Sequence, residues 1–382
     1  MRLQEEHCVV LLSNGFQSEY EVGFANGLAR CGLKPLLVCS DKLQRDRLDP
    51  EVTPINLRGS QDAERSSFAK AANILRYWWT TIALLRKQKA RAVHVTGLFT
   101  LRSTLVSFLE AVVLRIVARH FVLTVHNLLP HDSHGPVNRI AYWMIYRLPN
   151  RLVVHTAGMR DGLQREFGID VNRVIVMEHG IDRMAPPSGG QTDWLRRHFG
   201  IEGERPIVLF FGSVARYKGL DVLVRAFEQL PTVNAPALVI AGLCRDGHLR
   251  QELKLRLAGL VNTRRAFWHD DFVPEEQVLH YFHGADMLVL PYRHIDQSGL
   301  VFMALSTGLP VVATDVGSLG EYAPLTGGCV VAPGDAGALA TAIGTMLAAR
   351  PNVDRERVVR SARRFLWAKT VRPVLAAYGS TV

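Results

Sequence analysis

The sequence predicts an α/β fold made of two doubly wound, Rossmann-like domains. The chain has 382 residues, and since a domain typically takes ~100–200 residues, this length favours two hydrophobic cores. Short apolar runs alternate with amphipathic stretches, which is the pattern of βαβ units around a parallel sheet. The run APPSGGQ at 185–191 interrupts that pattern with two prolines and two glycines, and it predicts a linker.

The first predicted domain spans 1–184. Its apolar runs predict strands over 7–13, 36–40, 92–96, 121–125, 151–155 and 173–177. Helices are predicted over 19–30, 68–88, 101–118, 138–146 and 158–167. Gly32 is expected to end the first helix, because glycine tolerates the left-handed conformation that closes a helix.

The second predicted domain spans 193–364, after a linker over 185–192. Strands are predicted over 206–212, 237–241, 266–268, 287–290 and 310–313, and helices over 220–229, 248–260, 275–283 and 299–307. From 335 the chain is predicted to be helical to about 378. Ligands of doubly wound domains bind at the carboxyl ends of the strands. We therefore expect the two domains to face each other across a central cleft that holds the active site.

The composition is that of a soluble globular protein, with 48% hydrophobic and 21% charged residues. Five cysteines without a C-x-x-C pair argue against a disulfide framework and fit a reducing cytosol. The first residues lack the cleavage site of a signal peptide. The most apolar stretch, 98–118, is interrupted by Arg102, Glu110 and Arg115, so it predicts a buried or surface-docked helix and not a membrane span.

The net charge of +10 is concentrated in the first domain. Residues 1–190 hold 24 basic and 17 acidic side chains, and 58–119 alone hold 11 basic and 3 acidic ones, beside Trp78 and Trp79. Basic residues with tryptophans suit an anionic membrane surface, although a solvated helix face would have the same composition. This localisation favours a membrane partner over nucleic acid.

The stretch LFFGSVARYKGLDVLVRA at 209–226 is the most informative. A predicted strand ends at Gly212, the following loop carries Arg216 and Lys218, and Gly219 opens a helix. Backbone amides, the helix dipole and two cations together favour an anion such as a diphosphate. Two solvated charges on a surface loop would be the alternative.

The run G-S-V-A-R-Y-K-G-L-D-V-L-V-R-A-F at 212–227 resembles the signature of group 1 (family 4) nucleotide-sugar glycosyltransferases, which have the GT-B fold. The resemblance implies that Arg216 and Lys218 contact the diphosphate of the donor. It also implies that the last segment, 365–382, returns to the first domain. The run H-G-I-D at 179–182 resembles the family's hinge and cleft wall.

A second stretch, DMLVLPYRHIDQSGLVFMALSTGLPVVATDVGSLGE at 286–321, is similar to the donor-binding region of the same family. Gln297, Ser298 and Gly299 stand at a predicted helix start, where backbone N–H groups can bind a phosphate or a sugar hydroxyl. An ordinary serine N-cap is the alternative.

One family feature is missing. Relatives carry two glutamates in this region, of which the second binds the ribose of the donor, and the matching positions here are Ile295 and Met303. Glu321 is our candidate for part of the ribose contact. Asp296 could replace the first glutamate.

A third stretch, VLTVHNLLPHD at 122–132, follows a predicted strand and resembles the family element whose histidine approaches the transferred sugar. The resemblance assigns that place to His126. His131 and Asp132 are either structural or a general base near the acceptor. Gly15 follows the first strand and is either a plain turn glycine or a point where the backbone approaches the donor.

The resemblance implies a glycosyltransferase that moves a sugar from a UDP- or GDP-sugar to a lipid-linked saccharide, in bacterial exopolysaccharide or related glycan synthesis. It implies no metal or other cofactor, and no D-x-D metal pair is evident. Retention of configuration is expected, with inversion left open. The expected location is the cytoplasmic face of the inner membrane. The alternatives are another GT-B enzyme, such as a nucleotide-sugar epimerase or a phosphorylase, and a basic adaptor without enzymatic activity.

Overall fold

A computed structural model describes residues 9–13, 18–62, 65–88, 90–98, 104–129, 135–182, 193–232, 235–350 and 354–378. The chain divides into two compact units, one formed by 1–182 with 364–382 and the other by 183–363. The division falls two residues before the predicted end of the first domain. The predicted linker, 185–192, lies outside the described residues.

The first unit contains a seven-stranded parallel sheet in the order β3-β2-β1-β4-β5-β6-β7. The strands are β1 (Val9–Leu12), β2 (Pro35–Cys39), β3 (Thr53–Asn56), β4 (Ala92–Val95), β5 (Phe121–Val125), β6 (Arg151–Val154) and β7 (Val174–Val176). The helices are α1 (Ser18–Arg30), α2 (Ser67–Gln88), α3 (Thr104–Val117), α4 (Pro136–Ile145) and α5 (Ala157–Phe167). The predicted doubly wound α/β architecture is confirmed, although β3 was missed.

The second unit contains a six-stranded parallel sheet in the order β10-β9-β8-β11-β12-β13. The strands are β8 (Ile207–Phe211), β9 (Ala237–Ala241), β10 (Ala266–His269), β11 (Met287–Leu290), β12 (Val311–Thr314) and β13 (Cys329–Val331). The helices are α6 (Trp194–Phe199), α7 (Leu220–Gln229), α8 (Gly247–Asn262), α9 (Glu275–Gly284), α10 (Gly299–Thr307), α11 (Leu319–Tyr322), α12 (Ala336–Ala349) and α13 (Arg355–Ala362).

Buried apolar strands form the centre of each unit, as the continuous apolar runs of β1, β5, β8 and β9 require. Helices α2, α3 and α4 contribute to one core beneath the sheet of the first unit. Among the described residues no helix is long and apolar enough to cross a membrane.

The end of the chain packs on the first unit through α14 (Trp367–Thr370) and α15 (Arg372–Leu375). Trp367 is buried, and its indole lies against two glycines, Gly23 of α1 and Gly180 after β7. A parallel bridge joins Ile181 to Leu366. Gly180, the glycine of the H-G-I-D run, is thus needed because a side chain there would occupy the place of the indole.

Replacing Gly180 with alanine is expected to destabilise the first unit by about 1–3 kcal/mol, since a Cβ would lie 2.0 Å from Cδ2 of Trp367. Urea unfolding measures the loss. Gly158→Ala is the matched control, because its Cβ would meet only Oγ1 of Thr156 at 3.8 Å. Equal unfolding midpoints for the two variants would show that the Trp367 contact is not tight in solution.

Candidate functional site

The loop after β8 is held in a compact shape by glycines. Gly212 ends the strand with φ +92°, and Gly219 joins the 3-10 turn Arg216–Lys218 to α7 with φ +67°. A Cβ on Gly219 would lie 2.0 Å from the carbonyl oxygen of Pro291. Only glycine allows both this backbone conformation and this close approach. The loop therefore lies directly beside the segment that follows β11.

Lys218 is a buried cation in this loop. Its side chain is 7% exposed, and no carboxylate in the described part of the chain pairs with it. Its ammonium lies 5.7 Å from the centroid of the Tyr292 ring. Burial lowers the pKa of Lys218 to about 8, which corresponds to about 3 kcal/mol of unfavourable free energy for the charged form at neutral pH. An anionic ligand would offset this unfavourable term.

Arg216 has a different environment. Its side chain is exposed, and Nη1 lies 3.2 Å from Oε2 of Glu252. The neighbouring Arg293, which sequence reasoning missed, holds the turn in place: it donates to the carbonyl of Arg216 at 2.7 Å and makes a bidentate pair with Asp221 at 2.9 and 2.7 Å. Arg216 would have to leave Glu252 to contact a bound anion. We therefore expect Arg216 to contribute less to anion binding than Lys218 does.

The residues 297–299 begin α10, as predicted. Ser298 is buried at the N-cap position but makes no capping hydrogen bond with its side chain. Nε2 of Gln297 is buried and has no hydrogen-bond partner among the residues that the structure describes. The loop after β12 lies against this helix start, because the amide of Ser318 donates to the carbonyl of Asp296 at 3.0 Å. Oγ of Ser318 is also buried, and it has no hydrogen-bond partner among the described residues. Unpartnered buried donors suit a polar ligand.

Glu321 is exposed on α11, which follows β12. Strands β11 and β12 are parallel neighbours, so the segments after them lie at one edge of the sheet. Together with the loop after β8, these segments bring Lys218, Gln297 and Glu321 to the carboxyl edge of the second sheet, where ligands of this fold bind. Met303 lies in α10, one turn further along.

In the first unit, a histidine follows each of three adjacent strands. His126 follows β5, His155 follows β6, and His179 comes three residues after β7. Their rings surround Tyr20 of α1, with centroid distances of 4.8, 5.5 and 5.6 Å. The edge-to-face geometry is favourable for aromatic rings. These four side chains form the histidine cluster, at the carboxyl edge of the first sheet.

The hydrogen bonds of the histidine cluster fix its tautomers. Nε2 of His126 donates to the carbonyl of Thr96 at 2.7 Å, and Nδ1 of His155 donates to the carbonyl of Met177 at 3.0 Å. The two remaining nitrogens face each other at 3.2 Å. Since a carbonyl can only accept, both facing nitrogens carry lone pairs when the rings are neutral.

Burial makes the neutral form the relevant one. Burial lowers the pKa of His126 to about 4. Burial also lowers the pKa of His155, and the nearby His126 lowers it further. His126 is half-buried. The arrangement can accept a hydrogen bond from a hydroxyl group, but a ring with a pKa of about 4 is a weak base at neutral pH.

Three of the predicted site residues cannot be placed. Gly15, His131 and Asp132 lie outside the described residues. In the part of the chain that the structure describes, no group of three or more His, Cys, Asp or Glu side chains could hold a metal ion.

His155 and Tyr20 were missed by sequence reasoning. The signal for His155 was present, since it follows the buried run of β6 as His126 follows that of β5. Tyr20 offered no such signal, because it lies on a helix whose orientation the sequence does not reveal.

Two family models match the chain, one in each compact unit. Residues 19–184 match the model described as Glycosyltransferase Family 4, and residues 192–365 match the model described as Glycosyl transferases group 1.

The chain is also similar to curated proteins named D-inositol 3-phosphate glycosyltransferase. The protein from Nocardia farcinica is 30% identical over 275 residues, which cover 69% of this chain and 60% of that protein. The protein from Mycolicibacterium gilvum is 29% identical over 253 residues, which cover 65% of this chain and 55% of that protein. The chain therefore spans less than two thirds of the length of these relatives.

Solved structures share the fold. HepE of Anabaena in complex with UDP-glucose has a TM-score of 0.75 at 15% identity, covering 97% of this chain and 99% of that chain. A glycosyltransferase from Rickettsia africae has a TM-score of 0.73 at 17% identity, covering 97% of both chains. The predicted GT-B fold is confirmed by these likenesses.

Proposed function

We propose that this chain, which belongs to the group 1 glycosyltransferases of the GT-B fold, transfers a sugar from a nucleoside diphosphate sugar to a hydroxyl group of an acceptor. The observation that carries the proposal is the buried Lys218 beside the N-terminus of α7, which pairs with no carboxylate in the described part of the chain. A fold tolerates such an unfavourable cation where a ligand neutralises it. The diphosphate of the donor is the ligand with the matching charge.

In this proposal Lys218 stabilises the leaving diphosphate as its negative charge develops. Arg216 and the backbone amides at the start of α10 supply further donors. These cations and amides can offset the charge without a metal ion, so we propose a metal-independent enzyme without a cofactor. Gln297 and Ser298 bind polar groups of the donor, and Glu321 contacts its ribose.

We propose that the reaction retains configuration. The leaving phosphate then assists in removing the proton of the acceptor hydroxyl, and His126 holds the transferred sugar by accepting a hydrogen bond. The low pKa of His126 favours this positioning role over proton transfer. An inverting enzyme would need another base, for which His131 and Asp132 remain the candidates.

The donor is proposed to be a UDP-sugar, with a GDP-sugar as the alternative. HepE, which shares the fold, was crystallised with UDP-glucose. The curated relatives act on an inositol phosphate by name, whereas the surface of the first unit favours a lipid-linked saccharide acceptor here, as in exopolysaccharide or related glycan synthesis.

That surface is the outer face of α2, α3 and α4. It exposes large apolar side chains at helical spacing, three on each helix: Phe68, Leu75, Trp79, Leu105, Leu109, Ile116, Val137, Ile140 and Trp143. The three helices carry six basic residues and a single acidic one, Glu110, which is buried. An apolar face with basic residues suits an anionic lipid surface, to which each cation contributes ~1 kcal/mol.

We therefore propose that the enzyme works at the cytoplasmic face of the inner membrane. The double variant Trp79→Ser/Ile116→Ser should bind vesicles containing phosphatidylglycerol at least about tenfold more weakly, since two exposed apolar side chains are lost. Leu255→Ser/Phe272→Ser is the control in the second unit, with equally exposed side chains. Vesicle sedimentation measures binding. If both pairs reduce it equally, the surface has no special role.

Activity tests the proposed function as a whole. Purified protein is incubated with UDP-, GDP- and ADP-sugars, with and without a bacterial lipid extract, and the released nucleoside diphosphate is measured. We expect release from a UDP-sugar that the lipid extract stimulates. Turnover with a soluble acceptor alone would reject the lipid-linked acceptor, and the absence of turnover with every donor would reject the enzymatic function.

A further inference from the structure

Three arginines and a histidine meet at the amino edge of the first sheet. Arg91 immediately precedes β4, Arg119 and His120 precede β5, and Arg151 begins β6. These strands are parallel neighbours, with Val93 opposite Phe121 and Val122 opposite Arg151. Their starting residues are therefore adjacent in space.

The four side chains line a cavity of ≈ 420 Å³, together with residues 376–378 of the C-terminal segment. This volume falls in the range of small-molecule sites, ~300–1,000 Å³. None of the described residues that line it is acidic. Within that part of the chain, no carboxylate pairs with Arg91, Arg119 or Arg151.

His120 adds a buried polar atom to this cavity. Its Nε2 is buried and has no hydrogen-bond partner among the residues described. Burial lowers the pKa of His120, and the charge of Arg151 lowers it further. The ring is therefore neutral at pH 7, and the arginines supply the positive charge of the cavity.

Helix ends explain only part of this cluster. Cations after α2 and α3 interact favourably with the negative ends of the helix dipoles, which accounts for Arg91 and Arg119. Arg151 opens a strand and has no such helix end before it. Three like charges around one cavity repel each other, and an anion bound among them would relieve this repulsion.

The cavity is separate from the histidine cluster. His120 and His126 stand at opposite ends of β5, six residues apart, which is about 20 Å along an extended strand. A ligand at the amino edge therefore cannot be the donor diphosphate or the sugar that the proposed function places elsewhere.

We propose that this cavity is a second anion site, which binds a phosphate ester group of a ligand distinct from the donor. Arginine forks match the several oxygens of a phosphate with paired hydrogen bonds. Two sources carry this chemistry: the headgroup of a membrane phospholipid and a soluble phosphorylated metabolite. In both cases the phosphate bridges the starts of β4, β5 and β6 to the C-terminal segment.

The experiment follows the ring signals of His120 by NMR in histidine-labelled full-length protein, assigned with His120→Gln. Glycerol 3-phosphate is the soluble probe, and vesicles with and without phosphatidylglycerol are the lipid probe. The test variant is Arg119→Gln/Arg151→Gln. The control is Arg160→Gln/Arg165→Gln on α5, which removes the same charge from the same unit.

Glycerol 3-phosphate is expected to shift the His120 signals and raise the titration midpoint of the ring, and the test variant should bind at least about tenfold more weakly than the control. If only the phosphatidylglycerol vesicles bind, with the same loss in the test variant, the source is lipid. If the test variant does not fold, the exposed Arg119→Gln alone serves the comparison. Absence of any shift, or equal weakening in the control, overturns the proposal.

Discussion

Replacing Lys218 with methionine is expected to weaken UDP binding by ~1.5–3 kcal/mol, since the charge-assisted contact to the diphosphate is lost. The same change should stabilise the ligand-free protein by up to about 3 kcal/mol, because methionine removes a buried cation that has lowered its pKa to about 8. Titration calorimetry measures the first effect, and thermal unfolding measures the second. Weaker binding together with higher stability is expected when a charge serves ligand binding. If Lys218 were structural, its replacement would instead destabilise the protein.

Lys254→Met is the matched control on α8, where the lysine is 60% exposed and lies 3.6 Å from a carboxylate oxygen of Asp270. It should change neither UDP affinity nor stability by more than about 0.5 kcal/mol. If Lys218→Met binds UDP as well as this control does, Lys218 has no place in the donor site.

The pH dependence of the same contact has a defined sign. Burial lowers the pKa of Lys218 from 10.5 to about 8. The ligand-free protein therefore loses this charge as the pH rises through 8, and UDP affinity should fall between pH 7 and 9. Over the same range, the unfolded chain holds the proton more tightly, so this residue makes the protein more stable as the pH rises toward 10.5. Lys218→Arg should remove the inflection in affinity, because arginine stays charged.

Replacing His126 with alanine is expected to lower the rate of transfer at least about 10²-fold, while UDP binding stays unchanged. In the proposed function the histidine only positions the sugar, and Lys218 of the second unit binds the diphosphate. Because the pKa of His126 is about 4, the wild-type rate should show no inflection from this ring between pH 6 and 8.

His248→Ala is the control for this loss, since His248 is an exposed histidine on α8. Steady-state release of nucleoside diphosphate measures the rate, and far-UV circular dichroism checks the fold. Retained turnover in His126→Ala would remove His126 from the active site.

The architecture was predictable because buried parallel strands are continuous apolar runs that are visible in the sequence. The two missed strands show where this signal ends. Strand β3 contains Pro54 and is largely half-buried, so it has no apolar run, and β13 is only three residues long. Edge strands have fewer neighbours and need less apolar surface.

The sequence singled out the segments of the candidate site, but it did not reveal the environment of each side chain. Motif and spacing led to Arg216 and Lys218 as a pair, yet one is exposed beside Glu252 and the other is buried without a carboxylate partner in the described chain. The loop that carries both residues packs against a distant part of the chain, where Gly219 approaches Pro291 across 72 residues of sequence. Sequence periodicity carries no information on such contacts. The facing nitrogens of His126 and His155 are a further example.

A crystal structure of the protein with UDP would show whether Lys218 binds the donor. We expect a phosphate oxygen of UDP at ~2.7–2.9 Å from Nζ of Lys218, with the diphosphate beside the N-terminus of α7. UDP bound elsewhere on the molecule, with Lys218 still buried and unpaired, would contradict it.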